Sequence, residues 1–145
     1  MFPICLFTES VNKQMHNPKK LYLIDNGMAG ALGTGLSENK GQLLENLIFM
    51  ELRRCFTDIY YYKTLKGQEV DFVVSAKKPK LVQVCVSLAD DQTFKRETTA
   101  LVAAMQELGS NDACIVTMDE ERTLKLAGKS ISVVPAWKYL VETLG

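Results

Sequence analysis

Two carboxylates interrupt what would otherwise be an apolar strand in GQEVDFVV, residues 67–74. Successive side chains of an extended chain alternate between faces, so Val70, Phe72 and Val74 are expected on one side and Glu69, Asp71 and Val73 on the other. A third carboxylate is out of place in GQLLENLIFMELRRCF, residues 41–56. Wound at about 100° per residue, this segment puts Leu44, Ile48, Phe49, Leu52, Cys55 and Phe56 on one arc, with Glu45 inside it. Asn46, Glu51, Arg53 and Arg54 fall elsewhere and read as solvated. A carboxylate among apolar side chains is costly unless it is paired, hydrogen-bonded or bound to metal. Glu45 and Asp71 are hard oxygen donors of the kind Mg²⁺ takes, and such an ion activates water and stabilises charge developing at a phosphate. The bland alternative is a buried polar network, with Glu45 and Glu69 or Asp71 paired to Arg96 or Lys63 so as to fix helix to sheet.

The elements that must position these groups follow from periodicity and punctuation. KLYLID (20–25), ending at the Asn26-Gly27 turn signal, reads as a short strand, and 41–56 as a helix with Ser37 and Asn39 as candidate caps. DIYYYKTL (58–65), EVDFVVSA (69–76) and LVQVCVSL (81–88) are three strands in hairpin succession, the last with Val82, Val84 and Val86 on one side and Leu81, Gln83, Cys85 and Ser87 on the other. TFKRETTALVAAMQEL is a helix closed by Gly109. DACIVTM (112–118) and SISVVP (130–135) are strands, and PAWKYLVETL is a final helix with Pro135 in its first turn. From Gly41 the order is α-β-β-β-α-β, then a strand and a helix.

Composition narrows the function classes. The chain has 145 residues, 47% of them hydrophobic and 23% charged, the profile of one globular domain, which the order of elements makes α/β. Seventeen basic residues balance seventeen acidic ones, so no global positive field drives binding to nucleic acid, and any such contact needs a local patch. Cys5, Cys55, Cys85 and Cys114 are too widely spaced for CxxC metal pairs and read as reduced thiols of a cytoplasmic protein. No run approaches the ~18 apolar residues of a membrane span, and FPICLF (2–7) lacks the basic flank of a signal peptide. The glycine-rich GMAGALGTG (27–35) contains neither G-x-G-x-x-G nor a Lys-Ser pair. Gly128-Lys129-Ser130 lacks the first glycine of a P-loop, because Thr123 stands there, so the chain carries no ATPase P-loop.

The order α-β-β-β-α-β, with Glu45 on the helix, Asp71 on the second strand and Gln83 on the third, resembles the PD-(D/E)xK nuclease superfamily. The resemblance implies a restriction-endonuclease-like core, a mixed sheet flanked by helices. In that core Glu45, Asp71 and Gln83 would meet at one sheet edge as catalytic residues, with Glu45 and Asp71 holding metal and the carbonyl oxygen of Gln83 beside them. Mg²⁺ is the one cofactor this suggests. The superfamily lysine is replaced by Cys85, a thiol that is mainly neutral at neutral pH because its free pKa is ~8.5, and Gln83 lowers the charge of the site. Lys63, Lys95 or Arg96 are the candidates for a relocated cation.

A longer resemblance runs through NPKKLYLIDNG (17–27), GQLLENLIFMELRR (41–54), IYYYKTLKGQEVDFVV (59–74), LVQVCVSLAD (81–90) and KRETTAL (95–101). These phrases are similar to the C-terminal domain of unknown function in predicted AAA+ ATPases of bacteria and archaea. The resemblance implies that residues 1–145 are one such domain, with ATPase and winged-helix modules preceding it, and FPICLF then reads as an element that packed on something N-terminal. Within it, 1–36 is an extension, 37–118 the core, and 119–145 a strand and terminal helix. The expected role is an accessory domain with a degenerate nuclease-like site, not catalytic by itself, that binds nucleic acid or its ATPase module; the alternative is a Mg²⁺-dependent nuclease. Other chemistry-bearing residues are weaker candidates: His16 reads as a loop residue, Tyr60, Tyr61 and Tyr62 as strand formers or a base-stacking platform, and Lys77, Lys78 and Lys80 as a solvated hairpin tip. Trp137, at helical spacing with Leu140 and Val141, is expected in the core.

Overall fold

The computed structural model describes residues 1–23, 40–75 and 77–144. The glycine-rich stretch 27–35, the end of the 20–25 strand, and Ser37 and Asn39 as caps lie outside the described residues. In chain order the elements are β1 (Phe2–Leu6), α1 (Val11–His16), β2 (Lys20–Tyr22), α2 (Lys40–Cys55), β3 (Ile59–Lys63), β4 (Glu69–Val74), β5 (Lys80–Val84), α3 (Asp91–Leu108), β6 (Asp112–Thr117), β7 (Arg122–Leu126), β8 (Lys129–Pro135) and α4 (Ala136–Leu144). The strands form one mixed sheet in the order β2-β1-β3-β4-β5-β6-β8-β7. Among the described residues, no helix is long and apolar enough to cross a membrane.

Helices cover both faces of the sheet, so both faces of the central strands are apolar. On one face, Leu44, Ile48, Phe49 and Leu52 of α2 and Tyr139 of α4 pack on Phe72, Val74, Val82 and Val84. On the other, Leu101, Ala104 and Met105 of α3 pack on Val70, Val73, Leu81, Cys85 and Ile115. The 18-residue helix α3 is well delimited. Asp90 caps its start by accepting from the Thr93 N–H, and Gly109 closes it at φ 64°, the left-handed conformation that glycine adopts without a Cβ clash.

The α-β-β-β-α-β order read from residue 41 onward is present as α2-β3-β4-β5-α3-β6. Several expectations are corrected. FPICLF packs on this chain's own sheet, as β1 between β2 and β3. RTLKL (122–126) is an extra edge strand, joined to β8 through Ala127 and Gly128 at φ 50° and 74°, the positive values a tight hairpin turn demands. His16 ends a short helix and bonds through Nδ1 to the Asn12 carbonyl. Pro135 closes β8 instead of opening α4. Trp137 and Val141 lie on the exposed face of α4, and Tyr139 takes the buried position instead. On α2, Cys55 is exposed and Asn46 is buried, because the Asn46 amide bonds both backbone groups of Leu23.

Candidate functional site

Asp71 is aimed by an irregularity in β4. Tyr60 pairs with Val73 and Tyr62 with Val70, so Asp71 and Phe72 together face Tyr61, a bulge of one residue. The bulge breaks strict alternation. Val70 joins Val73 on the α3 face, whereas Phe72 and Val74 pack under α2. The expected set Val70, Phe72 and Val74 is therefore split, and Glu69 and Asp71 are brought to the same side as Glu45.

That side is occupied by a cation no periodicity announces. The Nζ of Lys20 lies 3.0 Å from Glu45 Oε1, 2.8 Å from Glu69 Oε1 and 3.5 Å from Asp71 Oδ1. Lys20 stands on β2, three places from β4 in the sheet order, and pairs opposite Ile4 of β1. Two residues on, Tyr22 points the same way: its hydroxyl donates to Glu45 Oε1 at 2.5 Å, and its ring stacks on Phe49 at 4.3 Å. The segment entering β2 is held by the Tyr61 hydroxyl, which donates to the Pro18 carbonyl at 2.5 Å. The partner of the acids is thus Lys20, in place of the expected Lys63 or Arg96.

The electrostatics follow from this crowding. Burial and then the charge of Glu45 push the Asp71 carboxyl up to about 7, against the opposing pull of Lys20 and of the Val84 N–H that donates to Asp71 Oδ2 at 2.9 Å. Burial alone would lower the Lys20 pKa, but the charges of Asp71, Glu45 and Glu69 outweigh it and hold the ammonium well above its usual value. Burial, followed by the charge and hydrogen bond of Glu45, keeps the Tyr22 phenol protonated.

Gln83 is directed at the protein itself. Its Oε1 accepts from the Asp71 N–H at 2.9 Å, and its Nε2 donates to the Glu69 carbonyl at 3.2 Å and to Glu97 Oε2. Glu97 in turn accepts from Arg96 Nε and Nη2 at 3.2 and 3.0 Å. Sequence reasoning missed Lys20, Tyr22 and Glu97. Glu97 had one available signal: on α3 it is a carboxylate one residue before the buried Thr98 and three before the buried Ala100, so a helical arc would have drawn it inward.

An open cleft of about 740 Å³ runs beside this network, lined among others by Glu45, Glu69, Asp71, Gln83, Cys85 and Glu97. Glu45, Asp71 and Gln83 therefore do line one cleft. Cys85 is buried, and burial pushes its thiol up to about 12, so it serves neither as base nor as cation. The tyrosine run is built into the protein: Tyr61 is buried, Tyr62 donates to Glu107 and Tyr60 packs on Phe7.

Fit to Mg²⁺ can be judged from the donors. The point at which Glu45, Glu69 and Asp71 oxygens converge is filled by the Lys20 ammonium, and the Gln83 carbonyl already accepts from the Asp71 N–H. Among the described residues no three His, Cys, Asp or Glu side chains are arranged to hold a metal ion. As they stand, the residues do not fit the ion. What the arrangement can do is neutralise a cluster of acids and hold a proton on Asp71 near neutral pH.

Among the described residues, a mixed eight-stranded sheet with helices on both faces, and an acid cluster closed on a lysine beside a cleft, define the class of domain. Residues 40–139 match the family described as Domain of unknown function (DUF4143), and the chain belongs to that family. Lys20 and Tyr22 lie ahead of the matched span. The chain is also 35% identical over 129 residues to the uncharacterized protein MJ1544 of Methanocaldococcus jannaschii, a match that takes in 83% of this chain and 29% of that protein. It thus spans less than a third of the curated relative it matches. Among solved structures it is similar to a chain of the refined half-complex from a tetradecameric assembly of Thermococcus gammatolerans McrB AAA+ hexamers with bound McrC. The TM-score is 0.50 at 12% identity, over 72% of this chain and 32% of that one, a likeness of fold.

Proposed function

We propose that this is an accessory domain of an AAA+ ATPase, with a restriction-endonuclease-like core whose nuclease-like site has been converted into a structural ion cluster. The observation that carries this reading is the Lys20 ammonium within 3.5 Å of Glu45, Glu69 and Asp71 together. A lysine held by three carboxylates takes the place of a cation and ties β2, α2 and β4 into one unit. The α2-β3-β4-β5-α3-β6 order and the likeness of fold to a chain from an assembly of AAA+ hexamers support the architecture and the association. The even charge balance favours a protein surface of the ATPase or winged-helix modules over DNA as the partner.

A second reading rests on the cleft. It is open beside Asp71, and Lys20 is a cationic nitrogen next to Glu45 and Asp71; for this to be a Mg²⁺-dependent nuclease with a relocated lysine, the ammonium would have to leave the point where the carboxylates converge. A plasmid-nicking and single-strand cleavage assay with Mg²⁺ or Mn²⁺ separates the two. The accessory-domain reading expects no cleavage above the Asp71→Ala background. Metal-dependent cleavage by the wild type that Asp71→Ala abolishes would replace it with the nuclease.

A further inference from the structure

The side chain of Gln83 sits where backbone hydrogen bonds would be expected. β4 and β5 pair at Val74↔Lys80, Val73↔Leu81 and Phe72↔Val82, and the paired stretch ends there. β5 itself continues beside β6, with Gln83↔Ile115 and Val84↔Val116 still in register. Beyond Phe72, side chains take over the joining of β4 to β5. The Asp71 N–H donates to Gln83 Oε1, Gln83 Nε2 donates to the Glu69 carbonyl, and the Val84 N–H donates to Asp71 Oδ2. The strands part where the cleft begins, and Asp71, Gln83 and Val84 line it.

We infer that Gln83 is the positioning residue of the cleft: its amide replaces the missing rungs between β4 and β5 and fixes the backbone that carries Asp71, and Glu97 requires that residue to be an amide. The requirement is chemical. At the Oε1 end an acceptor must meet the Asp71 N–H; at the Nε2 end a donor must stand between two acceptors, the Glu69 carbonyl and Glu97 Oε2. Glutamine has one end of each kind. Glutamate at this position would present an oxygen to a carbonyl and to a carboxylate at once, in a place where residue 83 is 4% exposed. Glu97 has little room to turn away, because it is itself buried, and Arg96 Nε and Nη2 donate to its other oxygen. The glutamine is therefore a part of the scaffold and not a weakened metal ligand, and restoring a carboxylate on β5 would damage the cleft. This holds whether the cleft binds or cleaves.

The test is a reciprocal exchange read by two methods. Thermal unfolding of wild type, Gln83→Glu, Glu97→Gln and the double variant is followed by amide hydrogen exchange at Asp71 and Val84. Gln83→Glu is expected to lower the melting temperature by roughly 5 °C or more, and adding Glu97→Gln to recover part of that loss, because an amide donor again faces the residue-83 carboxylate. In the wild type the Asp71 amide is expected to be protected about as well as the paired amides of β4, and in Gln83→Glu to keep that protection less well than Val73 does. A Gln83→Glu variant as stable as wild type, or one equally destabilised with and without Glu97→Gln, overturns the proposal. If Gln83→Glu does not fold, the wild-type exchange decides alone: an Asp71 amide exchanging at the rate of an open strand end overturns it.

Discussion

Replacing Lys20 by methionine removes the ammonium and keeps the stem, so it isolates the charge that Glu45, Glu69 and Asp71 share. An exposed ion pair contributes about 0–1 kcal/mol, whereas removing one partner of a buried pair costs about 3–5 kcal/mol. The Lys20 side chain is 26% exposed, Asp71 14% and Glu45 22%, between these limits, while Glu69 at 41% adds little. Asp71 also relieves the loss by taking up a proton. A cost of about 2 kcal/mol at pH 8 follows, or roughly 5–8 °C of melting temperature for a domain of this size. The cost must depend on pH. At pH 5 Asp71 already holds its proton, because its pKa of about 7 rises further once Lys20 is gone, so fewer bare charges are left without a partner and the deficit shrinks. The assay is urea and thermal unfolding of wild type and Lys20→Met at pH 5 and pH 8, with the exposed Lys13→Met as control. A Lys20→Met protein within about 0.5 kcal/mol of wild type at pH 8, or one with the same deficit at both pH values, refutes the reasoning.

Three further outcomes are expected. Because the folded-state pKa of Asp71 is raised, its contribution to stability is present below the unfolded carboxylate value and lost as pH rises through about 7; Asp71→Asn should flatten the fall in stability between pH 5 and 8, by at most about 1.4 kcal/mol per pH unit, in urea titrations. All four cysteines are free, so with a disulfide-exchange reagent at pH 8 the exposed Cys55 should react fast, and the buried Cys85 and Cys114, both pushed up to about 12, should react only on unfolding. Ala127 occupies φ 50° in the β7–β8 turn, so Ala127→Gly should raise stability, by up to about 1 kcal/mol, despite the added freedom of the unfolded chain.

The central strands and the two long helices were legible because their signals are local. Leu44, Ile48, Phe49 and Leu52 lie at helical spacing, and Gly109 and the β-branched, mostly apolar stretch Leu81–Val84 mark their own elements. The convergence of Glu45 and Asp71 was legible too, since an acid inside an apolar arc must have company. What joins them was not. Lys20 is 25 positions from Glu45 and 51 from Asp71, on a three-residue strand, and nothing local in KLYLID distinguishes an inward lysine from a solvated one. The bulge at Asp71 and Phe72 arises from the pairing of β4 with β3 and leaves no mark in β4 alone, so strict alternation misassigned Val70. RTLKL was passed over because an edge strand with Arg122, Thr123 and Lys125 exposed has little apolar pattern to read. Trp137 was misplaced because the helix arc that contains it is wide enough to admit two rotations, and packing on the sheet selects the one that buries Tyr139.

The claim that Lys20 fills the cation position of the acid cluster is tested most directly by isothermal titration of Mn²⁺ into the wild-type protein and Asp71→Ala at neutral pH. The account predicts no saturable binding at millimolar Mn²⁺ and superimposable traces from the two proteins, because the oxygens of Glu45, Glu69 and Asp71 already share an ammonium. A saturable isotherm in the wild type that is absent from Asp71→Ala would show that the ion displaces Lys20, and would contradict the account.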